Sequence, residues 1–158
     1  MNDSLKLYIV RHAHAIDAAE DATRPLSARG RSQVRTLAAF LKRSGAFAPP
    51  EVWHSPLARS RETAERLVKK LGLRAKVVET DGLQPEDAPA AIARQLKTRQ
   101  QPLAIVGHEP HLSALVSLLV AGAEEPSRFI LKKCSVVALD RTEGVWVVRW
   151  QLSPEVLV

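Results

Sequence analysis

Five side chains of this 158-residue sequence could carry chemistry: Arg11, His12, Arg24, Arg59 and His108. The two histidines end near-identical pieces, Leu7-Tyr8-Ile9-Val10-Arg11-His12 and Leu103-Ala104-Ile105-Val106-Gly107-His108. Four consecutive apolar residues predict a strand covered on both faces, as in a parallel sheet with helices above and below. Ligands of such sheets bind beyond the carboxyl ends of the strands. Both histidines are therefore expected on one edge, facing each other. Arg24 falls in the loop after the first strand and Arg59 in the first turn of the helix after the second, on that same edge. Two histidines and three arginines there make a site for a dianion. Arginine forks grip phosphate oxygens in pairs. A neutral imidazole among fixed cations is a nucleophile toward phosphorus, because the positive field opposes its protonation. The same field stabilises charge on a phosphoryl group in transfer.

The elements that must position these groups are legible. Strand patterns run over 5–10, 51–54, 75–79, 103–107, 134–139 and 145–151. Between them, Val34/Leu37/Ala38/Leu41, Ala64/Leu67/Val68/Leu71 and Leu112/Leu115/Val116/Leu119 have helical spacing, and a shorter helix over 88–99 has Ile92 and Leu96 as its core pair. Ser27 is a fitting N-cap, and Pro56 and Pro110 stand near helix starts, where a missing N–H costs nothing. Alternating strands and helices predict an α/β three-layer sandwich with a mostly parallel sheet. The hairpin-length turn 140–144 requires one antiparallel strand at the edge. Residues 1–158 are expected to form a single domain, long enough for a proper core.

Composition narrows the function classes. Hydrophobic residues make up 46% and charged residues 25%, a globular profile. No apolar run approaches the roughly 20 residues of a membrane span, so no membrane partner is expected. The lone Cys134 cannot form an internal disulfide and reads as packing in an apolar strand; with no signal-peptide pattern at the start, a cytoplasmic location is expected. The net charge of +6 is uneven: residues 1–76 hold 15 Lys/Arg and 7 Asp/Glu, the remainder 8 and 10. A basic half favours an anionic partner. With 4% aromatics and no base-reading motif, that partner is not expected to be nucleic acid.

At this point the chain resembles the histidine phosphatase (phosphoglycerate mutase-like) superfamily, and within it the small bacterial phosphohistidine phosphatases of the SixA type. Four blocks carry the resemblance: Arg11-His12-Ala13-His14-Ala15, the stretch from Asp21 to Gly30 around Arg24-Pro25-Leu26, the stretch from Ser55-Pro56 to Thr63-Ala64 around Arg59, and Val106-Gly107-His108-Glu109-Pro110. They occur in family order, and the similarity runs through almost the whole chain. The resemblance implies a phosphoglycerate mutase-like fold and phosphatase activity through a covalent phosphohistidine at His12. Arg11, Arg59 and His108 would form the phosphate pocket, Arg24 would add a contact, and neither metal nor other cofactor would be needed. Two positions depart from the pattern. Ala13 stands where glycine usually follows the nucleophile, a change expected to tighten that turn, and Glu62 stands where glutamine is common.

Larger members protonate the leaving oxygen with an acid. Here 79–87 offers Glu79, Asp81, Glu86 and Asp87 without a distinctive motif, and Asp81 is the spare candidate for proton donor. An imidazole leaving from phosphohistidine has a pKa near ~6.5 and can arrive protonated, so a missing acid points to phosphoramidate substrates. The expected substrate is phosphohistidine on a signalling protein such as a phosphotransfer domain. The rival readings are a phosphomonoesterase on a small phosphorylated metabolite, and a phosphate-binding module without turnover. His12, His14 and Asp17 mimic a metal-binding pattern, but the arginines would repel a cation. His14 is read as a rim residue and His54 as strand-end packing; Glu109 and His111 either line the mouth or face solvent. Trp146 and Trp150, four apart on one strand, are expected on one face.

Overall fold

In a computed structural model, residues 4–157 are described. Strands β1 (Leu5–Arg11), β2 (Glu51–His54), β3 (Lys76–Glu79), β4 (Leu103–Gly107), β5 (Val136–Thr142) and β6 (Val145–Leu152) form one sheet in the order β3-β2-β4-β1-β5-β6. Helices α1 (Ala28–Ser44), α2 (Ala58–Leu71), α3 (Ala90–Lys97) and α4 (His111–Ala121) cover it. The parallel strands are β1 to β4. The antiparallel strand expected at the edge is β5, which pairs with β1 on one side and with the edge strand β6 on the other.

Alternation along β1 shows why its apolar run has no polar face. Tyr8 and Val10 join the core of α1 and α2, built on Val34, Leu37, Leu41, Ala64 and Leu67. Leu7 and Ile9 join the opposite core, with Ile92 and Leu96 of α3 and Leu112, Leu115 and Val116 of α4. Sheet and two helical layers thus make the expected sandwich. The boundaries are set by local chemistry: Ser27 caps α1 by accepting from the Gly30 N–H, and α1, α2 and α4 each stop at a left-handed glycine (Gly45, Gly72, Gly122).

Two expectations fail locally. Cys134 is not in a strand; β5 starts at Val136, and Cys134 takes a left-handed φ of 62° in the turn before it. Its N–H faces both Arg11 O (3.1 Å) and His12 O (3.2 Å), which fixes the end of β1. Its side chain is fully buried, as expected of packing, and burial pushes the thiol up to about 12. The tryptophans do not share a face. The β5–β6 register runs from Leu139↔Val148 to Ala138↔Trp150, so Arg149 is an extra residue in a bulge. A bulge reverses the alternation beyond it. Trp146 therefore packs with the α3/α4 core and Trp150 with the α1/α2 core.

Candidate active site

The repeated strands are neighbours in matching register. Leu7 pairs with Leu103 and so on to Arg11 with Gly107, and the His12 N–H donates to Gly107 O at 2.9 Å. His12 and His108 consequently leave the sheet side by side, their ring centroids 5.0 Å apart at an interplanar angle of 51°. Both are buried, at 6% and 1% exposure.

His12 is held by one ring nitrogen. Nδ1 lies 2.7 Å from its neighbour's carbonyl, Ala13 O, to which only an Nδ1–H can donate. That places the lone pair on Nε2, the nitrogen left free for chemistry. Burial, opposed by the Ala13 hydrogen bond and aided by Arg59, Arg11 and Lys133, pushes the His12 pKa down to about 3. Burial together with His12 and Arg59 does the same to His108, also to about 3. Near neutral pH both rings are uncharged. His108 Nε2 lies 2.5 Å from Ser55 Oγ, while its Nδ1 is buried without a partner.

Arg59 enters at the second residue of α2, where a cation opposes the helix dipole. It is 5% exposed, and an acid offsets its charge: Nη1 donates to Asp21 O at 3.0 Å and Nη2 to Asp21 Oδ2 at 3.3 Å. Asp21 also reaches Arg24 Nη1 at 3.3 Å, and Arg24 donates from Nε to Ile16 O at 3.1 Å. Arg24 thus sits across Asp21 from Arg59. Burial works against ionising Asp21, yet Arg59 and Arg24 together hold its carboxyl below the usual range. Arg11 donates from Nη1 to Leu131 O at 2.8 Å and keeps Nε buried without a partner.

Supporting hydroxyls set the loop after β1. Thr63 Oγ1 accepts from the Ala13 N–H at 3.0 Å and donates to Arg59 O at 2.7 Å, joining the His12 turn to the Arg59 turn. Ser60 Oγ donates to Val106 O and accepts from the Ser55 N–H. Glu62 accepts from the Leu26 N–H at 3.3 Å, a task either carboxylate or amide can perform. Ala13 does not adopt a left-handed backbone, and its methyl is buried in the α1/α2 core. A side chain at this position is therefore accommodated without a left-handed backbone.

The remaining expectations sort as follows. His54 is buried with Nδ1 on Ser55 O. Glu109 is half-buried: it accepts from the Ser113 N–H at 2.8 Å at the start of α4, and its charge favours the Arg11 guanidinium, which keeps it beside the pocket rather than out in solvent. His111 is buried at 2% exposure, so the solvent-facing alternative falls. Asp81 is exposed in the turn after β3 and, among the described residues, makes no hydrogen bond or ion pair with the pocket. His12, His14 and Asp17 do not converge; among the described residues no three His, Cys, Asp or Glu side chains are placed to hold a metal. Sequence reasoning weighed Asp21 only as a surface ion-pair partner of Arg24, a pair the structure contains at 3.3 Å, and assigned no role to Ser55, Ser60, Thr63 or Lys133. The three hydroxyl residues lie inside the quoted blocks and were findable there. Lys133 reaches the site from a turn more than 120 residues beyond β1 and carries no local signal.

The sequence model of the histidine phosphatase superfamily (branch 1) matches residues 7–89. The phosphohistidine phosphatase SixA of Escherichia coli (strain K12) is 28% identical over 155 residues, covering 95% of this chain and 94% of that protein. A solved structure of the protein histidine phosphatase SixA complexed with tungstate superposes with a TM-score of 0.86 at 25% identity, covering 97% of this chain and 99% of that one. The alpha-ribazole phosphatase of Shigella flexneri has a TM-score of 0.78 at 18% identity over 94% and 96% of the two chains, a likeness of fold. Among the described residues, no helix is long and apolar enough to cross a membrane.

Proposed function

The chain belongs to branch 1 of the histidine phosphatase superfamily, and from that premise we propose that it hydrolyses phosphohistidine on a cytoplasmic signalling protein, with His12 as the nucleophile. In this reading the Nε2 lone pair of His12 attacks phosphorus. The substrate's P–N bond breaks, and its electrons return to an imidazole that leaves protonated. Arg11, Arg59 and the Nδ1–H of His108 hold the phosphoryl oxygens. The Ser55 hydroxyl keeps that tautomer by donating to Nε2 of His108. Arg24 joins when Asp21 gives way to the incoming dianion. Water then attacks the phosphoryl group on His12, the new P–N bond breaks, and phosphate departs.

The observation that carries this reading is the His12 ring itself: neutral, tied at Nδ1, free at Nε2, and set beside a second neutral histidine between arginines. A site that only binds phosphate has no use for a nucleophile aligned in this way. The choice of a P–N over a P–O substrate rests on proton supply. Asp21, the carboxylate that meets Arg59, is held ionised and is a poor acid, while Asp81 is joined to none of the pocket residues. An alkoxide would leave unprotonated, whereas an imidazole needs no donor at the site. The resemblance to phosphohistidine phosphatase SixA supports the same choice.

The test is to incubate the protein with a phosphoramidate donor in EDTA, quench, and map acid-labile phosphate by peptide mass spectrometry. Label on His12 with free phosphate released is the expected result, and His12→Ala should lose turnover but still bind tungstate. Phosphatase activity retained by His12→Ala overturns the assignment.

A further inference from the structure

Beside the phosphoryl pocket lies a cleft of about 680 Å³ lined by Arg11, His14, Arg29, Lys132, Lys133 and Glu155. It opens directly off the pocket, because Arg11 belongs to both. Four basic side chains face a single carboxylate, Glu155, and they come from three places: the end of β1, the first turn of α1, and the turn that Cys134 closes. Lys133 is where this crowding is greatest. Burial first, then the guanidinium groups of Arg11, Arg24, Arg29 and Arg59, all disfavour its ammonium. Cations are not gathered this way for the stability of the free protein, since each repels the others. A bound polyanion is the group that would relieve them.

The size and layout decide which polyanion. The volume is that of a site for a sizeable ligand rather than a lone phosphate. The charges are carried by separate elements, β1, α1 and the turn before β5, so they line more than one wall of the cleft. Ser32 and Thr36 of α1 add uncharged hydrogen-bonding groups between them, suited to a peptide backbone. On the other flank, next to His111, a cleft of about 290 Å³ is lined by Glu86, Asp87, Glu124 and Glu125 and by no lysine or arginine. The two clefts thus carry opposite charge, and an acidic chain is favoured on the α1 side.

We propose that the cleft between α1 and the Cys134 turn seats an acidic segment of the phosphoprotein next to its phosphohistidine, and so selects the substrate. This rests on the phosphohistidine reading above and adds a specificity surface to it. The test uses two synthetic peptides with a central phosphohistidine, one flanked by Asp and Glu, the other by Lys. The expected result is a kcat/KM at least tenfold higher for the acidic peptide, mainly through KM. That preference should shrink as salt rises from about 0.05 to about 0.5 M, where exposed charges are screened. In an Arg29→Glu/Lys132→Glu variant the preference should vanish or invert. Equal kcat/KM for the two peptides in the unmodified protein overturns the docking proposal and leaves the phosphohistidine reading standing. Turnover of neither peptide overturns the phosphohistidine reading and this inference with it.

Discussion

Arg59 spends its guanidinium on Asp21: two nitrogens reach the backbone carbonyl and the carboxylate of one residue, at 3.0 and 3.3 Å. A buried arginine at a helix start needs an anion, and an exposed aspartate from the loop after β1 fills the place of one. Asp21 is thus a competitor for the dianion that Arg59 is placed to bind. Its exposure makes it easy to displace, since a solvated carboxylate loses little on release.

Asp21→Asn keeps a hydrogen-bonding group but removes the competing charge. Tungstate or phosphate should bind roughly three- to tenfold more tightly, a change of about 0.7–1.4 kcal/mol. Titration calorimetry at fixed ionic strength reads this directly. Unchanged or weaker binding would mean that Asp21 orients Arg59 for the ligand rather than competing with it.

Ser55→Ala removes the hydroxyl against Nε2 of His108. The ring then loses the partner that fixes its tautomer, and a buried nitrogen is left unsatisfied, at a cost of about 1–3 kcal/mol. We expect kcat on a phosphoramidate to fall roughly tenfold to a hundredfold, with KM changing far less. Ser55→Thr, which restores the hydroxyl, should recover most of the loss. Equal activity in Ser55→Ala and the unmodified enzyme would remove Ser55 from the positioning of His108.

Much of this site was legible because its geometry is periodic. The echo of 7–12 in 103–108 translates into the β1–β4 register, and adjacent parallel strands put equivalent residues at one level. Arg59 was readable from its place at a helix start. What stayed hidden depends on contacts far apart in sequence. The position of Arg24 is set by the Asp21 carboxylate it shares with Arg59, and the Lys133 position by the left-handed backbone of Cys134, a residue type that rarely adopts it. The β6 bulge at Arg149 has neither glycine nor proline to announce it, so alternation alone put the two tryptophans on one face.

Gly30 is where α1 meets the active-site loop. A Cβ there would stand 2.0 Å from His14 O, which is backbone and cannot rotate away. That carbonyl also accepts from the Ser27 N–H at 3.0 Å. Gly30→Ala should therefore push the His14 segment off the start of α1. Overpacking of this kind costs roughly 1–3 kcal/mol, outweighing the gain in helix propensity of about 1 kcal/mol. Urea unfolding should show the loss, and kcat should drop with it because His12 lies two residues from the displaced carbonyl. Stability equal to or above that of the unmodified protein would show that the loop can yield.

Burial of neutral imidazoles makes stability depend on pH with a definite sign. In the folded chain His12 and His108 are pushed down to about 3, by burial first and by nearby positive groups second. In the unfolded chain both titrate near 6.5. Between these limits the unfolded state binds more protons, so acid favours unfolding. Their contribution is complete above pH ~6.5, is lost progressively as pH falls, and stops changing below about 3. Each ring adds a slope of up to about 1.4 kcal/mol per pH unit. Burial lowers His111 in the same direction, although Asp87 opposes it. The clean window lies between pH ~6.5 and ~5, above the carboxylate range. Urea midpoints should fall through it, and His12→Asn/His108→Asn should remove about one proton's worth of the slope at pH ~6.5, rising toward two near pH ~5. A slope untouched by the double substitution would mean that the two rings are already charged in the folded protein, which a nucleophilic His12 does not allow.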